Sequence, residues 1–334
     1  MSAWNRGRSA GTVDGGFGSS SAPSSAERVR GADLVLSGLH AMPAFALDSA
    51  IPLPAQPLDD YSWLQRSLFL AQIARAAYEP PADFRNRLRP LTDRVDFWDR
   101  DGAQAYWVET PSDCVVAFRG TEPDDWNDWK ADLDAEQVPC RRLVGRVHHG
   151  FWTEANDLWS DVASRLATLD RPLWLTGHSL GGAIALVTAG YCGGERAAGW
   201  LRGIYTFGAP RAGDEAFASA IDVPHYRWVH NNDVVPQLPP AWLGYVHHGR
   251  EAYVDRRGRL RQWAGWERWL DRLRGWASGL LRWRIDGIGD HSMERYAASI
   301  DAVVAKYAPL GVVPVRLAAP RRRPLRRAPL RRAA

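Results

Sequence analysis

Residues 173–183, LWLTGHSLGGA, constrain this chain more than any other segment. The apolar run Leu173, Trp174, Leu175 and Thr176 reads as a strand, and Ala183, Ile184, Ala185, Leu186 and Val187 read as a helix. The few residues between must turn one directly into the other. Gly177 and Gly181 flank Ser179 in that turn, where larger side chains would collide. A serine on such a bend has its hydroxyl pushed out at the strand end. The N-terminus of the following helix points at it and favours developing negative charge. The expectation is a nucleophilic serine on an α/β scaffold.

The rest of the chain supplies that scaffold. Residues 58–78 read as a helix with Trp63, Leu64, Leu68, Ile73 and Ala77 on one face, and 103–109 and 114–119 read as strands. Phe151, Ala155, Leu158, Trp159, Val162 and Leu166 recur at helical spacing, 204–208 and 226–230 read as further strands, and Met293, Tyr296, Ala297, Ile300, Val304 and Tyr307 define a last helix. Alternating strands and helices imply a mainly parallel central sheet covered by helices.

Composition separates this core from its ends. Residues 1–57 are rich in Ser, Gly, Ala and Pro without a sustained period, so they are expected to be disordered or an overextended start, with Met42 an alternative initiator. The domain is expected over 58–308 and a basic Arg/Pro-rich tail over 309–334. Seven arginines and no acid lie between 321 and 332, which is more than the whole net charge of +4. The domain itself is therefore not basic, and nucleic-acid binding is not expected. The tail reads either as a solvated terminus or as a contact for an anionic surface.

Cys114, Cys140 and Cys192 form no C-x-x-C pair, which argues against a disulfide scaffold or a zinc site and favours a reducing compartment. No run of 18 apolar residues is present. Residues 34–46 imitate a secretory signal, but Asp33, His40 and the distance from Met1 oppose that reading, so a cytoplasmic or peripheral-membrane location is expected.

A serine hydroxyl needs a histidine to take its proton and a carboxylate to orient that histidine. After a serine in this context the acid comes next in the chain and the histidine last, each on a loop. Asp233 in HNNDVVPQLPP follows the strand at 226–230 and suits the acid, although Asp222 and Asp214 are nearby carboxylates. His291 in DHSMERY stands where the last helix begins and is the only histidine beyond His248. Its plainer reading is a helix start capped by Asp290.

Five segments together resemble the class 3 lipase family, the secreted fungal lipases and their bacterial and plant relatives, here read as a bacterial member. They are VVAFRGTEP at 115–123, VHHGF at 147–151, GHSLGGA at 177–183, FGAPRAGDEAF at 207–217, and NDVVP with DHSMERY. The resemblance spans about residues 60–307. It implies an α/β-hydrolase fold with Ser179 as nucleophile, Asp233 as acid and His291 as base. It further implies that Thr121 and Leu180 hold the oxyanion, and that no cofactor is needed. A carboxylic ester of a lipid is the implied substrate. Phospholipid hydrolysis, acyl transfer and a non-catalytic lipid-surface module are the alternatives.

By the same resemblance, EPDDWNDWKADLDAEQV occupies the place of a lid, where Trp126, Trp129 and Leu133 fall at helical spacing; its length departs from the fungal pattern. These tryptophans are candidates for the lid or acyl pocket, or for a fixed surface helix. Residues 260–284 carry five tryptophans. At about 100° per residue, Trp263, Trp266, Trp269, Trp276 and Trp283 share one half of a helix opposite Arg268, Asp271, Arg272 and Arg282. That face suits packing on the domain or contact with a membrane or lipid-droplet surface. The pairs His148/His149 and His247/His248 are not read as metal ligands, because neighbours on a strand point to opposite faces.

Overall fold

The computed structural model describes residues 54, 56–92, 94–121, 135–193, 199–255, 257–261 and 290–307. The expected N-terminal segment up to 53, the lid candidates Trp126, Trp129 and Leu133, the tryptophan-rich 262–289 and the basic tail lie outside these residues. The helices are α1 (Trp63–Ala76), α2 (Pro81–Leu88), α3 (His149–Leu166), α4 (Leu180–Cys192), α5 (Glu215–Ala220) and α6 (Met293–Tyr307). The strands are β1 (Val95–Arg100), β2 (Ala103–Glu109), β3 (Cys114–Phe118), β4 (Gln137–Pro139), β5 (Arg146–His148), β6 (Leu173–His178), β7 (Leu201–Phe207), β8 (His225–His230), β9 (Arg250–Val254) and β10 (Leu260–Arg261).

Eight strands form one sheet in the order β1-β2-β3-β6-β7-β8-β9-β10, and β4 and β5 form a separate pair. The centre from β3 to β9 is parallel, and the two ends are antiparallel. This is an α/β-hydrolase arrangement, with the parallel centre that the strand and helix alternation implied. Every residue of β3 and β6 is buried, as expected for parallel strands covered on both faces.

The two-residue side-chain period divides the sheet into two cores. Tyr106, Val108, Val115, Ala117 and Trp174 join α1 and α6 on one face. Ala105, Trp107, Cys114, Val116, Phe118, Leu173 and Leu175 join α3 and α4 on the other. Helix α1 is buried on almost every side, which suits its apolar sequence, and a reciprocal capping box between Ser62 and Gln65 fixes where it starts. Burying a large apolar side chain contributes about 1.5–3 kcal/mol, so these two layers hold the strand ends firmly. The loops that leave the carboxyl ends of β3, β6 and β8 carry Thr121, Ser179 and Asp233.

Candidate active site

The turn from β6 into α4 is as tight as its glycines require. A Cβ on Gly177 would strike the backbone of Gly181, and one on Gly181 would strike the carbonyl of Phe118. Ser179 pays for this closeness with φ 55° and ψ −128°, a backbone conformation that costs about 1–3 kcal/mol outside glycine and is typical of functional turns. Leu180 is the first residue of α4, so its N–H has no acceptor within the helix and faces the same end as the serine.

Ser179, His291 and Asp233 meet although 112 and 58 residues separate them in pairs along the chain. His291 Nε2 lies 2.8 Å from Ser179 Oγ, and His291 Nδ1 lies 2.9 Å from Asp233 Oδ2. A carboxylate only accepts, so Nδ1 carries the proton and Nε2 is left to accept from the serine. All three side chains are buried. Asp233 also accepts from the amide of Val235 at 2.9 Å and from the Tyr296 hydroxyl at 2.6 Å. Burial and the neighbouring Asp233 push the Tyr296 hydroxyl well above its usual range, so it stays a donor to the carboxylate.

Thr121 lies three residues beyond the β3 end, and its hydroxyl oxygen is buried with no hydrogen-bond partner. Leaving a buried hydroxyl unpaired costs about 1–3 kcal/mol. Among the competing carboxylates, Asp214 caps α5 by accepting from the Phe217 amide, and Asp222 is exposed. Asp290 does not act as the plain helix cap either. It accepts from Asn231 Nδ2 at 2.7 Å and Arg295 Nη1 at 2.8 Å, joining the loop of Asp233 to the loop of His291.

The paired histidines diverge. His247 bonds the Pro236 carbonyl at 2.7 Å while His248 turns to the Ile221 carbonyl at 3.1 Å, and His148 stacks on Phe151 while His149 stacks on Trp152. Among the described residues no helix is long and apolar enough to cross a membrane.

Three residues around the site were not singled out from sequence: Tyr296, Tyr78 and His178. Tyr296 stands on the buried face of α6 and reads there as core. His178 adjoins the serine and could have been flagged by position alone, but its partners lie 100 and 113 residues away.

Residues 115–242 match the family model of class 3 lipases. The chain is 36% identical over 163 residues to a secreted mono- and diacylglycerol lipase of Fusarium solani, covering 46% of this chain and 47% of that protein. It is 34% identical over 152 residues to a lipase of Rhizomucor miehei, covering 42% and 41%. It therefore spans less than half the length of these curated relatives. The fold is similar to the solved triacylglyceride lipase of Rhizomucor miehei, with a TM-score of 0.53 at 26% identity over 59% of this chain and 82% of that one.

Proposed function

Because this chain belongs to the class 3 lipase family, we propose that it is a serine hydrolase cleaving carboxylic ester bonds of lipids through an acyl-enzyme. The unbroken hydrogen-bond line from Ser179 through His291 to Asp233 carries this reading. Ser179 Oγ attacks the acyl carbonyl carbon as His291 Nε2 takes its proton, and Asp233 stabilises the imidazolium that results. The Thr121 hydroxyl and amide and the Leu180 amide receive the oxyanion. The helix N-terminus of α4 adds a favourable dipole. His291 then protonates the leaving alcohol, and water, activated by the same imidazole, releases the acid.

The Fusarium solani relative is a mono- and diacylglycerol lipase and the solved Rhizomucor miehei protein a triacylglyceride lipase, and acylglycerols are the proposed substrate here. Such substrates are held in droplets or membranes, so the mouth of the site is proposed to meet a lipid surface. Trp126 and Trp129 are proposed to line the acyl pocket or its lid. Phospholipid hydrolysis and acyl transfer would use the same three side chains and differ only in the pocket and the acceptor.

The test is hydrolysis of p-nitrophenyl esters from acetate to palmitate, beside triglyceride and phospholipid emulsions. Ser179→Ala should lower kcat on the order of 10⁶-fold. Thr121→Ala should lower it by about 10² to 10³, the usual worth of one oxyanion donor. Unaltered turnover in folded Ser179→Ala would remove the proposal. Lipid binding without hydrolysis of any ester would favour a non-catalytic surface module instead.

A further inference from the structure

His178 takes no part in the chemistry proposed above, yet it is buried beside His291. Its Nε2 lies 2.7 Å from the backbone carbonyl oxygen of His291, and its Nδ1 lies 2.7 Å from the Tyr78 hydroxyl. The partners fix the tautomer. A carbonyl only accepts, so Nε2 carries the proton, and the bare Nδ1 accepts from Tyr78. The rings of His178 and His291 are tilted against each other with centroids 4.5 Å apart. Burial first, and the adjacent His291 second, hold the His178 ring well below the usual histidine range, so it stays neutral beside a base that must become charged.

The two bonds join three parts of the fold. Tyr78 follows α1, His178 ends β6 one residue before the serine, and the carbonyl belongs to the loop that leads into α6. Ser179 is fixed by the strand and helix on either side of it. His291 sits on a loop, and its side-chain bonds to Ser179 and Asp233 leave its main chain to be held by other means. The bond from His178 holds that main chain directly to the residue beside the nucleophile. A third contact brings in the oxyanion side. A Cβ on Gly120 would strike the Tyr78 hydroxyl, so the glycine lets the Tyr78 and His178 pair lie against the backbone next to Thr121.

Resting on the reading of Ser179 as nucleophile, we propose that His178, held by Tyr78, is a positioning residue that sets the separation of His291 from Ser179 and keys it to the strand end carrying Thr121. Misplacing a reacting group by about 1 Å can cost about 10²-fold in rate, which gives the scale of the expected effect.

The full-length chain is tested with a fluorophosphonate probe that labels the serine, and with kcat and KM on a short p-nitrophenyl ester. His178→Phe keeps a flat ring and loses both bonds. It should label about 100-fold more slowly and lose about 100-fold in kcat, with KM within about twofold of wild type. His178→Gln offers an amide that can donate to the carbonyl and accept from Tyr78, and it should recover kcat to within about tenfold of wild type. Tyr78→Phe should lose about tenfold.

Melting temperatures of the two His178 variants separate orientation from stability. A Phe variant that melts with the Gln variant but turns over about tenfold more slowly supports positioning. A folded His178→Phe that labels within about threefold of wild type overturns it. Should that variant not fold, Tyr78→Phe decides, because wild-type kcat in a chain that lacks the clamping hydroxyl equally overturns the proposal. A wild-type protein that the probe does not label would instead remove the serine-nucleophile reading itself.

Discussion

Two chains of hydrogen bonds in this fold begin in the same way and end differently. In one, the Ser179 hydroxyl donates to His291 Nε2, and His291 Nδ1 donates to the Asp233 carboxylate. In the other, Thr206 on β7 lies 2.8 Å from His225 Nε2, His225 Nδ1 lies 3.1 Å from His248 Nδ1, and His248 Nε2 lies 3.1 Å from the Ile221 carbonyl. The carbonyl sets every proton in this second chain. His248 Nε2 donates to it, the bare His248 Nδ1 accepts from His225, and the bare His225 Nε2 accepts from Thr206.

A hydroxyl against an imidazole is thus common to both chains, and they part at what lies beyond it. The first chain ends on an anion that can stabilise a charged imidazole. The second ends on a neutral carbonyl, with the Arg227 guanidinium near enough to oppose further positive charge. Backbone geometry differs as well. Ser179 sits on a strained turn at a strand end, whereas Thr206 is fully buried within a strand.

Asp233→Asn tests the role of the carboxylate most severely, because it replaces an anion that accepts from His291 with a neutral amide. The backbone geometry should survive, since the Asn oxygen keeps the Val235 amide, but its NH2 then donates to His291 Nδ1, which leaves the proton on Nε2 where it cannot accept from Ser179, and kcat falls by about 10⁴. A loss below about tenfold, in protein melting with the wild type, would mean that the terminal carboxylate is not what distinguishes the two chains.

How much of this was legible in the sequence divides along similar lines. Strand β2 begins and ends where the apolar pattern of 103–109 does, β3 ends one residue early, and α6 covers the expected periodic residues. Strong local patterns account for these. Strand β1 was not foreseen, because VDFWDR lies at the sheet edge and mixes charges into a short, half-exposed run. Helix α2, PADFRNRL, buries only Phe84 and Leu88 and so has little period to read.

At the site, Ser179, Asp233 and His291 could be named because each lies in a recognisable segment. The clamp formed by Tyr78 and His178, and the Thr206, His225 and His248 chain, depend on partners brought together by the sheet. No local spacing encodes them.

The smallest expected effect concerns the second chain alone and leaves turnover untouched. Burial is the main reason that His225 and His248 are held below the ordinary histidine range, with His248 lowered to about 4. In the unfolded chain these groups bind protons from about pH 6.5 downward, whereas the folded protein keeps them neutral. Between about pH 6.5 and the lower folded values the unfolded state therefore holds more protons, and stability rises with pH. It is fully present above about 6.5 and is lost on acidification toward the folded values, about 4 for His248.

Each such group contributes a slope of up to about 1.4 kcal/mol per pH unit. Urea midpoints of wild type and of the His225→Asn, His248→Gln double variant, taken at pH 7, 6 and 5, measure this directly. The variant's stability should fall less steeply with acid, whatever its absolute value at pH 7. Parallel lines for the two proteins would mean that the second chain tolerates the proton after all, and that its neutral end is not what sets it apart from the first.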